Sequence, residues 1–155
     1  MKLNLGCGGD KRKGYVNIDI RKNVNPDMVL DLEKTPYPFE DESVDEILAK
    51  DIIEHFSFRN VERIVREWYR ILKPNGKLII QTPDFDEIVK AINEGRIKGW
   101  WQISYWIFGG QDYPENTHRL IFTKPEIRKF LESIGFRVES VKSGGTNMIV
   151  EAVKP

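Results

Sequence analysis

The residues most suited to chemistry are a glycine-rich turn and an acid that each follow a short apolar run. Gly6 and Gly8 lie at and just beyond the end of the run 3–6. Glycines there let the backbone approach a ligand closely. Asp19 stands near the end of a second run, 15–20, where a carboxylate can accept both hydroxyls of a ribose. Alone, the glycines also fit a simple turn, and Asp19 also fits a solvated acid.

A second acid completes this pattern. Asp31 lies near the end of a third run, 28–32, where it can accept a hydrogen bond from an exocyclic amine while Leu32 packs on a base; it could equally cap a turn. In an open α/β sheet, ligands bind at the carboxyl ends of the strands, so the three positions together favour a nucleoside site. The dinucleotide fingerprint is absent, because Lys11 stands where its third glycine would be.

The two histidines suggest different roles. For His55 we expect a structural hydrogen bond to a neighbouring loop. His118 lies in a polar stretch and has the ordinary pKa of a general base, and a binding or orienting role suits it equally. We expect no metal site, because the sequence has no cysteine–histidine cluster and no close set of carboxylates.

An aromatic segment at 100–108 precedes that polar stretch. It fits a core helix, a lid over the substrate or a homodimer surface, since aromatic side chains concentrate in all three. Gly109 and Gly110 would then act as a hinge. We take residues 96–122 as a substrate-lid segment. Its candidate substrate-binding residues are Trp101, Tyr105, Gln111, Asn116 and Arg119.

The elements that position these residues follow from hydrophobic periodicity. Helices are predicted at 58–73, after Asp84 and after Thr123, the last two each opened by a capping box. Strands are predicted at 3–6, 15–20, 28–32, 44–49, 77–81, 136–141 and 146–153. Their alternation with helices predicts a doubly wound α/β fold with a mostly parallel sheet. The link through Gly144 and Gly145 is so short that the last strand must be antiparallel.

Composition narrows the class of protein. The 155 residues carry 24 basic and 24 acidic side chains, so no basic footprint supports nucleic-acid binding. The single cysteine, Cys7, fits a reducing compartment, and no apolar run is long enough for a signal peptide or a membrane span. We therefore expect a cytoplasmic protein with one domain, residues 1–155.

Taken together, these segments resemble the class I S-adenosylmethionine-dependent methyltransferases, particularly the small type 11-like members. The matching segments are LNLGCGG (3–9), NIDI (17–20) and the stretches 31–56, 66–84 and 116–136. The resemblance implies a seven-stranded sheet with the last strand reversed, and S-adenosylmethionine as cofactor. It implies that the turn Leu5–Gly8 faces the methionine part of the cofactor. Asp19 with Ile20 would hold the ribose, Asp31 with Leu32 the adenine, and Lys50 and Asp51 would flank the reacting methyl.

The sequence departs from this family in two places. Residues 7–14 leave too little room for a full crossover helix between the first two strands, so we expect one turn or an irregular loop there. The chain also starts on its first strand, without the leading helix that many relatives have.

We expect a methyltransferase acting on a small-molecule or saccharide-like acceptor, with His118 and Asp51 as catalytic residues. The alternatives are a nicotinamide-binding oxidoreductase domain and a non-catalytic binding or scaffold protein on the same fold.

Overall fold

The computed structural model describes all of residues 1–155, and a seven-stranded sheet organises it. The strands are β1 (Lys2–Leu5), β2 (Val16–Asp19), β3 (Met28–Val29), β4 (Val44–Lys50), β5 (Leu72–Pro83), β6 (Arg137–Gly144) and β7 (Asn147–Val153). Their order is β3-β2-β1-β4-β5-β7-β6. β1 pairs in parallel with β2 and β4, whereas β7 is antiparallel to both β5 and β6. The predicted α/β class, with a mostly parallel sheet and a reversed last strand, is confirmed.

Four helices accompany the sheet: α1 (Val61–Ile71), α2 (Phe85–Asn93), α3 (Gly99–Phe108) and α4 (Lys124–Ile134). The predicted apolar face of α1 is confirmed, because Ile64, Val65 and Trp68 are fully buried. They belong to a core cluster of 26 residues that also includes side chains from β1, β4 and β5. No helix combines the length and apolar character that a bilayer crossing requires.

Several predicted boundaries and caps differ from the structure. α1 begins at Val61 and ends at Ile71, inside the predicted range 58–73, because a turn at residues 57–60 precedes it and β5 takes over at Leu72. The capping box at Thr123 is wrong, since its side chain makes no capping hydrogen bond. Asp84 does cap α2, by accepting from the backbone N–H of Asp86.

The strand β3 is shorter than predicted and ends at Val29. Asp31 therefore lies beyond the strand, in a turn. Its Oδ1 accepts the backbone N–H of Glu33 at 3.0 Å, and its carbonyl accepts that of Lys34 at 3.0 Å. The backbone N–H groups of Glu33 and Lys34 therefore find acceptors within the turn and need no neighbouring strand.

The connection between β1 and β2 contains no helix. This confirms the prediction of an irregular loop, and it leaves the ends of both strands joined by turns of the main chain. The site lies at the carboxyl ends of β1 and β2, which meet at one edge of the sheet because the two strands are parallel.

Candidate active site

The glycine turn after β1 brings two strand ends into contact. Gly6 has φ +66°, and a Cβ atom there would lie 2.6 Å from Cδ1 of Ile52, which follows β4. Only glycine fits this position, since both the backbone conformation and the space exclude a side chain. The backbone of the turn therefore packs directly against the side chain of Ile52, just after the end of β4.

Asp19, at the end of β2, is only 4% exposed. Its Oδ2 accepts the backbone N–H of Gly8 at 2.8 Å. Its Oδ1 accepts the backbone N–H of Arg21 at 2.9 Å and Nε of the same residue at 3.2 Å. Asp19 is therefore not a solvated acid: it ties the glycine turn to the end of β2. A carboxylate offers about four acceptor positions, so Oδ2 retains capacity for a ligand hydroxyl.

Sequence reasoning missed Arg21, which connects Asp19 to the lid segment. Its guanidinium lies 4.1 Å from the ring centroid of Tyr113, a cation–π distance. Both side chains line the pocket described below. One feature of the sequence could have indicated Arg21: it stands two residues after Asp19, and aspartate side chains commonly accept the backbone N–H two residues on.

One open pocket collects seven of the sixteen predicted site residues. The predicted residues in its wall are Gly6, Asp19, Ile20, Asp31, Leu32, Asp51 and Arg119. Arg119 forms an ion pair at 2.6 Å with Glu33, another wall residue. The pair joins the lid segment to the turn after β3, so parts of the chain 86 residues apart meet at one site.

A buried acid lies beside this pocket, in the single helical turn Ile53–His55. Glu54 is 2% exposed, and its Oε2 accepts the hydroxyl of Thr82 at 3.0 Å. Burial, together with the nearby Asp51, raises the pKa of Glu54 to about 8. A carboxylate this enclosed with one side-chain hydrogen bond is costly to keep ionised.

Two histidines lie against Glu54. Nδ1 of His55 is 3.2 Å from the carbonyl oxygen of Thr117, which confirms the predicted hydrogen bond to a neighbouring loop. The ring of His118 meets that of His55 edge-on, with centroids 5.1 Å apart. Burial lowers the pKa of both imidazoles.

Main-chain bonds fix this arrangement. The backbone N–H groups of Arg119 and Leu120 both donate to the carbonyl oxygen of Glu54, at 2.8 and 3.3 Å. The loop that carries His118 is thereby held to the turn that carries Glu54 and His55.

The comparisons with known proteins agree with this geometry. A family described as "Methyltransferase domain" matches residues 7–80. A highly reducing polyketide synthase of Aspergillus nomiae is 34% identical over 102 residues, 64% of this chain but 4% of the synthase. The chain therefore spans only a small part of this curated relative.

Two solved structures share the fold over nearly the whole chain. The PH0226 protein of Pyrococcus horikoshii OT3 is 20% identical with a TM-score of 0.71, covering 99% of this chain and 81% of that one. A SAM-dependent methyltransferase of Methanosarcina mazei is 19% identical with a TM-score of 0.68, covering 99% and 91%. Residues 7–80 therefore carry a methyltransferase domain, and the whole chain has the class I fold of S-adenosylmethionine-dependent methyltransferases.

The residues of this methyltransferase fit its cofactor, S-adenosylmethionine. Gly6 leaves no side chain between the backbone and the pocket, Asp19 offers a buried acceptor, and Leu32 supplies an apolar surface beside Asp31. A nucleoside needs acceptors for its hydroxyls and its amine and an apolar wall for its base. When bound, the cofactor supplies a methyl group on a sulfonium.

Four predicted cofactor residues of the methyltransferase lie outside the pocket wall. Leu5 and Cys7 are buried, and Gly8 acts through its N–H on Asp19. Lys50 forms an ion pair with Asp10 at 3.6 Å. β4 ends at Lys50, and Asp51 follows it with φ +50°, so the chain turns there and Asp51 lines the pocket while Lys50 does not.

The aromatic helix α3 of the methyltransferase differs from one expectation. None of its residues is buried, and Trp100 is 80% exposed, so the core-helix interpretation is wrong. Trp101 and Tyr105 line a separate shallow cleft together with Arg96 and Gln102.

The two polar candidates that follow α3 also lie outside the main pocket. The backbone N–H of Gln111 donates to the carbonyl oxygen of Asn116 at 2.8 Å, which closes the loop on itself. Of the five predicted substrate residues, only Arg119 lines the main pocket.

Proposed function

We propose that this methyltransferase transfers the methyl group of S-adenosylmethionine to a small-molecule or saccharide-like acceptor. The observation that carries the proposal is the convergence of Gly6, Asp19 and Asp31 on one pocket, just past the carboxyl ends of β1, β2 and β3. The polyketide synthase relative supports a small-molecule acceptor, because such a synthase builds small molecules.

The roles proposed for the pocket residues follow from their chemistry. Asp19 accepts from the ribose hydroxyls, with Ile20 beside them. Asp31 accepts from the adenine amine, and Leu32 packs on the base. The turn Leu5–Gly8 brings its backbone to the methionine part, Asp51 and Lys50 lie near the methyl group, and Arg119 holds an anionic or hydroxylated part of the acceptor.

Methyl transfer is an in-line displacement in which positioning contributes most of the acceleration. A base is needed only where the acceptor must lose a proton. We propose Asp51 as the pocket residue nearest this event, since it lines the wall beside Gly6 and Ile52. His118 as the general base stays a prediction; its ring lies against His55 and outside the pocket wall.

The lid segment 96–122 is proposed to close over bound substrate through Trp101, Tyr105, Gln111 and Asn116. The exposed aromatic face of α3 also suits a homodimer contact, since exposed aromatic side chains mark association surfaces. A cytoplasmic location is proposed from the single cysteine, which has no partner for a disulfide within the chain.

Calorimetric titration with S-adenosylmethionine, S-adenosylhomocysteine and NAD tests the proposal. We expect saturable binding of the first two, at one per chain, and none of NAD. Binding of NAD alone would identify an oxidoreductase-type domain. Binding of none of the three would identify a scaffold protein, and either result would overturn the proposal.

A further inference from the structure

The cluster of Glu54, His55 and His118 has the composition and spacing of a metal-binding site. One candidate ligand atom from each residue lies within 4.8 Å of the others. Atoms bound to one ion at about 2.0–2.2 Å lie roughly 3–4 Å apart, so small side-chain movements would bring all three into coordination. No local sequence pattern predicts this cluster, because His118 is 63 residues from His55 along the chain.

The charges and burial of the cluster also suit a cation. Glu54 is nine-tenths buried or more and has a single side-chain donor, Thr82. The carboxylate of Asp51 is close enough to act electrostatically on all three residues. The cluster contains one buried acid and two imidazoles, with no lysine or arginine partner for Glu54.

One hydrogen bond orients the imidazole of His55 as a metal ligand is oriented. Histidines that bind metal usually donate the other ring N–H to a carbonyl or carboxylate, which fixes the tautomer. His55 makes such a bond from Nδ1 to the carbonyl of Thr117. With the proton on Nδ1, Nε2 carries the lone pair that a metal requires.

We propose that Glu54, His55 and His118 bind one divalent transition-metal ion such as Zn²⁺ or Mn²⁺. Imidazole favours Zn²⁺ and its neighbours in the series, and carboxylates extend the range to Mn²⁺. The metal site stands on its own geometry. Its role rests on the proposed function: Asp51 and His55 line the pocket, so an ion here would bind an oxygen of the acceptor and make its proton easier to lose.

The test is titration of the chelator-treated chain with Zn²⁺ and Mn²⁺, followed by calorimetry, and with Co²⁺, followed by visible absorption. We expect one ion per chain and a higher melting temperature with the ion bound. His118→Asn, on a loop outside the core, should weaken metal binding at least ~10-fold. Mutation of a residue that only hydrogen-bonds to a metal ligand already weakens binding by about 10–100-fold, so loss of a ligand should cost no less. Glu54→Gln, which keeps an acceptor for Thr82, should weaken it as well.

Glu115→Gln is the matched control, because Glu115 is an exposed carboxylate of the same pocket outside the cluster; it should leave metal affinity unchanged. The absence of saturable binding by all three ions would overturn the proposal, as would binding that His118→Asn leaves intact. S-adenosylhomocysteine titration of the same samples separates the two proposals. A chain that binds this ligand but no metal disproves only the metal site, and the reverse result disproves only the proposed function.

Discussion

At the scale of single residues, the proposed site depends on groups that also hold the fold together. Asp19 holds the glycine turn through Gly8 and holds Arg21, yet one of its oxygens remains able to accept a further bond. Gly6 forms the close contact with Ile52 and also opens the pocket wall. Substitutions at Asp19 or Gly6 should therefore affect both ligand binding and stability. Comparing different replacement side chains at one position can separate the two effects.

Asp19→Ala is expected to weaken S-adenosylhomocysteine binding by about 1.5–3 kcal/mol, the range for a hydrogen bond that involves a charged group. It should also destabilise the fold by roughly 1–3 kcal/mol, because the N–H of Gly8 loses its acceptor. Calorimetry and urea unfolding measure the two effects. Asp19→Asn, which keeps an acceptor oxygen for Gly8, should recover only part of the stability, because its amide nitrogen cannot accept the two bonds from Arg21. Unchanged affinity in a folded Asp19→Ala variant would remove Asp19 from the cofactor site.

Gly6→Ala should destabilise the chain by about 1–3 kcal/mol, since alanine is strained at positive φ and its Cβ would overlap the side chain of Ile52. Urea unfolding measures this change. Gly9→Ala is the control, because a Cβ at Gly9 meets no atom within 4 Å and its φ is not positive. Equal stability of the two variants would contradict the close approach between the ends of β1 and β4.

At the scale of elements, the helices differ in how firmly they are attached. α1 contributes six buried residues, whereas α3 contributes none. α3 contacts the remainder through half-buried side chains, among them Ile103, Trp106 and Ile107, which pack on a small cluster formed by Ile88, Ala91 and Ile97. Elements with few buried apolar contacts open at the lowest free energy.

Hydrogen exchange in the free protein should therefore be faster in α3 than in α1, and exchange in α3 should slow when cofactor and acceptor bind. Exchange followed by mass spectrometry, with and without ligands, measures both. Protection of α3 equal to that of α1 in the free protein would contradict its role as a lid.

The start of α2 should be sensitive to Asp84, which is fully buried. It caps the helix through Asp86 and forms an ion pair at 2.6 Å with Lys124 at the start of α4. Asp84→Ala should cost about 2–4 kcal/mol, since it removes a cap and one partner of a largely enclosed pair. Thermal or urea unfolding tests this. Asp86→Ala, at an exposed position of the same turn, should cost much less, and a similar loss from both would refute the argument.

At the scale of the whole molecule, ligand binding and folding are linked, because the pocket is assembled from β1, β2, the turn after β3 and the lid segment. The unfolded chain has no such pocket. Binding must therefore stabilise the native state by mass action.

S-adenosylhomocysteine at 100 times its dissociation constant should add about 2.7 kcal/mol of stability. For a chain of this length that is a rise of roughly 5–10 °C in melting temperature. A thermal scan over a range of ligand concentrations checks the dependence, with NAD as the matched control. A rise with NAD and none with S-adenosylhomocysteine would contradict the assigned cofactor.

The sequence by itself determined the class of fold and identified part of the proposed cofactor pocket. The apolar runs and the short Gly144-Gly145 link specified the sheet and its reversed last strand, because strand pairing follows local patterns and link length. Gly6, Asp19 and Asp31 were identifiable because ligands of such sheets bind at strand ends, so their positions along the chain already imply a shared site.

Only the tertiary structure decided which distant side chains meet. The contact between Arg21 and Tyr113, the pair of Glu33 with Arg119, and the cluster of Glu54 with His55 and His118 all join the lid segment to strand ends 60 or more residues away. No local pattern encodes such contacts, because they depend on how the loop at 117–120 bonds to the backbone of Glu54. The same packing left α3 exposed, although its composition fitted a core helix equally well.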